Sequence, residues 1–457
     1  MINDAVAAPL RKRILRASGW TLIQNGASLS LRLFGNLLLT RLLTPEAFGL
    51  MAVIQALVVA LAHLSDVGIS QNIVVHRRGD DPDFLNTVWT VQILRGVLIL
   101  IASAACAVGI FLLEQAGWFR PGTVYTDPQL PYVIVAFFFY VLILGFETTK
   151  VQQARRNMQL EQITMIELMS QAAALIVMLI LATTFRNVWA LVAGSLVAAT
   201  LRVVAGHLIL SGPRNRIMWD PSAWTDILSF GKWIFLSSVM GFLLVSGDRI
   251  LLGAIVDSTV LGVYSIAVLL LGVLYSTFYA IIGSVVFPTL SEVFRNHPND
   301  LRQVHRRFQL QADVALFGLA GFLFVAGPAI VDLLYDDRYR EAGTMLAALS
   351  LGLIGARSSI SEQGYLAMGQ VRYQAAANFC RVAVLCLGLP LGFALYGIDG
   401  ALVALILTQY AGWPVTIRFA MRNGLFQPGG LLIGPPLFIA GAALGWLGRS
   451  AMLLVMQ

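Results

Sequence analysis

Stretches of some 20 apolar residues recur about thirteen times between Arg16 and Gln457, and each is long enough to cross a hydrocarbon layer of roughly 30 Å as a helix. A backbone in lipid has no water to bond to, so it must satisfy its own hydrogen bonds. Helices do this one span at a time, whereas a barrel would show short alternating strands, and none are visible here. The spans are expected at 17–42, 47–74, 84–113, 129–150, 160–183, 187–210, 227–255, 259–290, 308–334, 340–367, 371–395, 398–420 and 430–455. With 58% hydrophobic and 12% charged residues, little is left for anything else. No connecting segment exceeds about twenty residues, and an independently folding domain needs at least about forty. An extramembrane catalytic domain is thereby excluded. The expected fold class is an all-α, polytopic membrane protein.

The basic residues set the orientation. One alternating set of connections holds Arg11, Lys12, Arg13 and Arg16, then Arg77 and Arg78, then Lys150, Arg155 and Arg156, then Arg214 and Arg216. It continues with Arg295, Arg302, Arg306 and Arg307, with Arg372, and with Arg418 and Arg422. The other set holds only Arg41, Arg120, Arg186, Arg338 and Arg340. Lys/Arg excess marks cytoplasmic loops, which puts the N-terminus in the cytoplasm. The net charge of +7 is therefore a topology signal, since no basic domain with interleaved aromatics indicates nucleic acid. Cys106, Cys380 and Cys386 fall in apolar stretches and are expected as packing thiols. The basic N-terminal run leads into a retained first span, not a cleaved signal.

Two internal echoes divide the chain. Asn36 to Leu50 resembles Arg249 to Val263, and Asn187 to Val192 resembles Ile398 to Val403, both at an offset of about 212 residues. The expected organisation is a basic N-terminus 1–16, a six-helix lobe 17–210, a cytoplasmic linker 211–226, a second six-helix lobe 227–420, and about one additional C-terminal segment, 421–457. Pro435 and Pro436 break the start of that last segment. Parallel repeats of this kind build transporters that rock around a site between the repeats.

Ionisable groups deep in a span are costly and so are functional candidates. Asn25, Ser28, Arg32 and Asn36 recur at helical spacing on the first span, a stripe that contains no acid. Arg95, Arg202, Arg357 and Arg381 add interior cations, Asp248 with Arg249 lies near the outer end of the seventh span, and the buried acids are Asp66, Glu147, Glu167, Asp313 and Glu362. Guanidinium groups match the paired oxygens of phosphate or carboxylate, so Arg32, Arg95, Arg249, Arg357 and Arg381, with Asn25 and Asn36, are the expected anion-binding set. The competing reading pairs each arginine with an acid to fix helix packing, as Asp248 with Arg249 or Arg357 with Glu362. Arg202 and Asp313 lie nearer the cytoplasmic ends, where they could snorkel. His63 and Asp66, three apart, together with Asp248 and Glu362, are candidates for carrying a coupling ion. Pro390, with Gly388 and Gly392, and Pro414 are candidate bending points. No Gly-x-x-x-x-Gly-Lys-Ser/Thr loop, His-Glu-x-x-His or Gly-x-Ser-x-Gly motif occurs, so the chain is not read as an enzyme or a pump that hydrolyses ATP itself. No cofactor is expected, and energy must come from H+ or Na+, from membrane potential or from the cargo's own gradient.

The segments Arg41-Leu-Leu-Thr-Pro-Glu-Ala-Phe-Gly-Leu-Met-Ala52, Ser246-Gly-Asp-Arg-Ile-Leu-Leu-Gly253 and Gly262-Val-Tyr-Ser265 resemble the polysaccharide (Wzx-type) flippases of the multidrug/oligosaccharidyl-lipid/polysaccharide superfamily. The first is closest to the colanic acid and succinoglycan exporter branch. That resemblance implies two lobes around a cationic cavity, alternating access, and an undecaprenyl-pyrophosphate-linked oligosaccharide as cargo for exopolysaccharide, capsule or O-antigen assembly. It further implies a bacterial inner-membrane location, with the bilayer and a glycan polymerase and export machinery as partners. The alternative is a cation-coupled drug or metabolite exporter of similar architecture.

Overall fold

The computed structural model describes residues 4–64, 78, 81–157, 159–370, 372–425 and 429–456. All regular structure among them is helical. The helices are α1 (Asp4–Leu42), α2 (Pro45–Leu64), α3 (Pro82–Gln115), α4 (Leu130–Gly145), α5 (Lys150–Arg156), α6 (Leu160–Phe185), α7 (Val188–Ile209), α8 (Pro221–Gly253) and α9 (Ser258–Ile281). They continue as α10 (Phe287–Asn296), α11 (Leu301–Leu334), α12 (Arg340–Ser350), α13 (Gly352–Gly355), α14 (Ser358–Ala367), α15 (Arg372–Ala383), α16 (Leu389–Tyr410), α17 (Trp413–Arg422) and α18 (Gly429–Met456). Every expected span has a helical counterpart, although residues 65–74 of the second lie outside the described residues.

Local chemistry explains the helix boundaries. Asp81 caps α3 by accepting from the Asp83 N–H at 3.1 Å, with Pro82 behind it. Asn187 caps α7 and Asp257 caps α9 in the same way. At the end of α3, Gly117 takes φ +71 and lets the Trp118 N–H reach back to the Leu113 carbonyl at 3.0 Å. Pro288 and Pro390 each follow a π turn, Ile282–Val286 and Val384–Gly388, which absorbs the hydrogen bond that proline cannot make.

Eight described helices are long and apolar enough to cross a membrane, or nine if one bent pair counts as a single span. The stretch Arg372–Arg422 counts once in that tally but doubles back. Residues eight apart in a straight helix are separated by about 12 Å, yet a Cβ on Gly392 would lie 2.3 Å from the Gly400 carbonyl oxygen. The reversal is at Tyr396 and Gly397, whose backbones are not helical. The two expected spans ending at 395 and beginning at 398 are thus distinct.

The chain forms two compact units, Met1–Phe242 and Leu243–Gln457. The boundary falls inside α8, and not in the linker expected at 211–226. That linker is fastened to the first unit: the N–H groups of Arg216, Met218 and Asp220 donate to Asn86 Oδ1, Thr90 Oγ1 and Thr87 Oγ1 on α3 at 2.9–3.0 Å. Arg78 completes the attachment, reaching Asp81, Asp220 and Ser222 at 2.9 Å each. Its guanidinium holds the Asp220 carboxyl down at about 2 and also lowers Asp81. A carboxyl depressed in the folded state stabilises above its unfolded value of roughly 4 and loses that contribution as pH falls through the folded value. Hydrogen exchange is therefore expected to show the Arg216, Met218 and Asp220 amides equally protected at pH 8 and pH 5. Protection should fall only between roughly pH 4 and pH 2, and Arg78→Ala should weaken it at pH 5 and above.

In the second unit the C-terminal segment is a full helix with its backbone against α11. A Cβ on Gly441 would lie 2.1 Å from the Gly318 carbonyl oxygen, one on Gly321 2.1 Å from that of Phe438, and one on Gly445 2.6 Å from that of Phe322. Gly441 and Gly445, four apart, form the small-residue seam that lets membrane helices touch. The helix Gly429–Met456 is thus integral to the second unit. Gly441→Leu must push the helices apart, at a cost of about 2 kcal/mol or more. The expected result is a lower melting temperature in detergent, whereas substitution of the exposed Ala443 should leave it unchanged.

Candidate functional site

The fourth helical segment is broken in the first unit, and its counterpart in the second carries tight turns without a comparable bend. In the first unit, α4 and α5 meet at 61° across Phe146–Thr149. In the second, α12, α13 and α14 are separated by tight turns at Leu351 and at Ala356–Arg357. A discontinuous helix points to where a membrane transporter binds, because irregular backbone is tolerated only where something else satisfies it.

The freed backbone groups are satisfied by like residues in both units. Gln92 Nε2 on α3 lies 3.2 Å from the carbonyl oxygens of Leu144, Gly145 and Glu147. The Trp89 indole and the His207 ring both reach the Phe146 carbonyl, at 3.4 and 2.9 Å. Correspondingly, Gln309 on α11 donates to the Arg357 carbonyl at 3.4 Å, Trp413 Nε1 to that of Gly355 at 3.0 Å, and the Tyr410 hydroxyl to that of Leu351 at 2.7 Å. Lys150 is buried, with its ammonium on the His207 and Leu210 carbonyls at 3.2 and 3.0 Å. It ties the bent segment to the C-terminal end of α7, where a cation is favoured. The charge that served as a loop marker in the sequence is thus a helix cap.

Ion pairs gather at these breaks. In the first unit, Arg202 on α7 donates to Glu147 in the break at 2.6 Å and to Glu167 on α6 at 3.2 Å. Glu167 also accepts from Gln24 on α1, whose Oε1 takes the Thr164 hydroxyl at 3.4 Å. In the second unit, Arg357 at the break grips Asp313 on α11 with Nε–Oδ1 at 2.7 Å and Nη2–Oδ2 at 2.8 Å, and lies 5.6 Å over the Trp413 ring. One turn further, Glu362 pairs with Arg381 on α15 and accepts from Ser358 at 3.1 Å.

These contacts revise several sequence expectations. Arg357 and Arg381 are not unpaired cations, because each holds a buried carboxylate. Arg357 does not pair with Glu362, and Asp313, 1% exposed, does not snorkel. Asp248 is not paired with Arg249 either: it accepts from the Tyr264 hydroxyl, because successive helix residues point in different directions. Its Oδ1 is sealed from solvent without a donor. Arg249 is half-buried. Arg95 donates to the Ala62 carbonyl at 2.6 Å near the end of α2. The first-span stripe splits, with Gln24 turned toward α6 and Asn36 half-buried, while Asn25 and Arg32 are exposed. Among the described residues Arg32 has no acid beside it. His63 is half-buried with Nδ1 unpartnered, and Asp66 lies outside the described residues. Sequence reasoning missed Gln92, Gln309, Trp89 and Trp413; the available signal was two amides and two indoles inside otherwise apolar spans.

Comparison with known proteins follows the same lines. The family model described as polysaccharide biosynthesis protein matches residues 38–344. The lipopolysaccharide biosynthesis protein WzxC of Escherichia coli (strain K12) is 23% identical over 384 residues, covering 81% of this chain and 73% of its own length. The succinoglycan biosynthesis transport protein ExoT of Rhizobium meliloti (strain 1021) is 20% identical over 345 residues, covering 74% of this chain and 66% of its own length. In three dimensions the chain is similar to the lipid II flippase MurJ in an inward closed conformation, with TM-score 0.66, 13% identity and coverage of 96% of this chain and 98% of that one. It is also similar to a multidrug resistance MATE family transporter in an inward-facing conformation, with TM-score 0.61, 12% identity and coverage of 87% and 94%. At such identities the structural likeness establishes the fold alone.

Proposed function

This chain belongs to the polysaccharide biosynthesis protein family, and on that footing we propose that it is a flippase, not an enzyme, carrying a lipid-linked oligosaccharide repeat unit across the bacterial inner membrane. The observation that carries the reading is the family match over most of the chain, joined by relatives named for lipopolysaccharide biosynthesis and succinoglycan transport. The chemistry agrees with it. Arg32 stands exposed on α1, two turns along from Asn25, with no acid to neutralise it among the described residues. A guanidinium that costs at least about 2.5 kcal/mol to place in a bilayer is well suited to meet a pyrophosphate or an acidic sugar. The Lys/Arg asymmetry of the loops supports a cytoplasmic N-terminus.

Cargo of this kind is undecaprenyl-pyrophosphate-linked, with its polyprenyl tail remaining in the bilayer while the head group crosses. A polymerase and export machinery on the far side take the delivered unit. The MATE-like reading, a cation-coupled exporter of drugs, would favour a site lined by acids and aromatics and free of exposed guanidinium. Deletion of the gene separates the two. Lipid-linked repeat units should accumulate on the inner leaflet with drug susceptibility unchanged; intact glycan export with reduced dye efflux would refute the flippase reading.

A further inference from the structure

The connection after α7 exposes apolar side chains that a loop standing in water has no reason to carry. Ile217 is 79% exposed, Trp219 46% and Met218 38%, and Arg214 and Arg216 just before them are exposed as well. The depth of this segment follows from the helix to which it is fastened. The exposed large apolar residues of α3 begin at Leu94 and end at Leu113, a length of about 30 Å at the helical rise, which matches the thickness of a hydrocarbon layer. Thr90 therefore stands about 6 Å outside the hydrocarbon, within a headgroup layer roughly 5–8 Å deep, while Thr87 and Asn86 stand about 10–12 Å outside.

The connection meets α3 at these levels in turn. The Arg216 N–H is at Asn86, the Met218 N–H at Thr90 and the Asp220 N–H at Thr87. The chain thus descends toward the bilayer, turns at Met218 and climbs out again, with Ile217–Trp219 as its tip. Both sides of the tip are held. Asn215 accepts from the Thr148 hydroxyl at 2.6 Å and donates to Thr149 Oγ1 at 2.7 Å, on the break between α4 and α5. Trp219 packs on Trp224 with ring centroids 5.0 Å apart, and Trp224 rests on the buried cluster of Phe84, Leu85, Val88 and Val91.

We propose that Ile217, Met218 and Trp219 dock into the headgroup layer of the leaflet facing the Lys/Arg-rich connections, and that Arg214 and Arg216 bind the phosphates of anionic lipids there. The residue types fit that partner: an indole favours the membrane interface, and guanidinium groups match phosphate oxygens. A soluble protein partner would need a tip standing clear of the bilayer, whereas the register on α3 puts this one at headgroup depth. Because Asn215 joins the tip to Thr148 and Thr149, lipid contact also fixes the depth of the helix break. The inference concerns the bilayer and not the cargo, so it stands or falls independently of the flippase reading.

Spin labels measure the depth directly. The full-length protein, with its three cysteines replaced by alanine, is labelled at Ile217→Cys or, as a control, at Asp83→Cys on the first turn of α3, about 16 Å outside the hydrocarbon. Each is placed in nanodiscs of phosphatidylcholine with phosphatidylglycerol. The ratio of collisions with dissolved oxygen to collisions with a water-soluble nickel chelate should be severalfold higher at 217 than at 83. Equal ratios overturn the docking. Exclusion of both reagents from 217 in nanodiscs and in detergent alike means that protein covers the tip, and overturns it too. Omitting phosphatidylglycerol, or substituting Arg214→Gln with Arg216→Gln, should lower the ratio at 217 toward the control. A ratio indifferent to both changes overturns the assignment of the two arginines to lipid phosphate.

Discussion

Arg32→Ala abolishes glycan export while the protein still accumulates in the membrane at the wild-type level, and Arg32→Lys keeps part of the activity. The stability half of this expectation follows from exposure: the guanidinium has no partner among the described residues, so its removal orphans no buried group. The activity half follows from charge-assisted hydrogen bonding. Removing one partner of such a pair costs about 2 kcal/mol or more, a roughly 30-fold loss of affinity for an anionic head group. Lysine restores the charge without the two-pronged geometry, and so part of the binding. Quantitative blots of membrane fractions beside an export assay check both halves. Full export by Arg32→Ala would mean that the cargo does not use this residue.

The opposite pattern holds for the pair at the second break. Asp313→Ala leaves the Arg357 guanidinium buried without its carboxylate, and truncating one member of a buried pair costs about 3–5 kcal/mol. The expected outcome is loss of folded protein, read as a collapse of the melting transition in detergent. Replacing both members with apolar residues of similar volume, Asp313→Leu with Arg357→Met, should recover most of the stability, because no charge is then stranded. A double variant as unstable as Asp313→Ala would show that the pair does more than neutralise itself. Loss of export in a stable double variant would instead assign Arg357 a direct part in transport.

These two arginines also show what the sequence could and could not disclose. Both were identifiable as costly residues inside apolar spans, and helix boundaries followed from Pro, Asn, Asp and Gly at the ends of those spans. The reversal at Tyr396–Gly397 was legible as a gap between 395 and 398. Pairing was not legible, because the carboxylate for Arg357 is on α11 and that for Arg381 on α14, and helical spacing within one span gives no information on which faces of different helices meet. For the same reason Asp248 beside Arg249 suggested a pair that the helix geometry forbids. The break after Leu130–Gly145 was marked by the polar run Glu147-Thr148-Thr149-Lys150, but such a run reads equally as the end of a span leaving the membrane, so the bend was not legible. Lys150 read from the sequence only as a loop charge, because its role as a cap for α7 depends on the bend that brings it there.

The most direct measurement is flipping by the purified protein in liposomes of defined composition, with a lipid-linked oligosaccharide placed on one leaflet and its arrival at the other followed by an impermeant sugar-modifying probe. The account predicts transfer that depends on the protein and is lost in Arg32→Ala at equal reconstitution. Transfer no faster than in protein-free liposomes, by protein shown to be folded and correctly inserted, would contradict it.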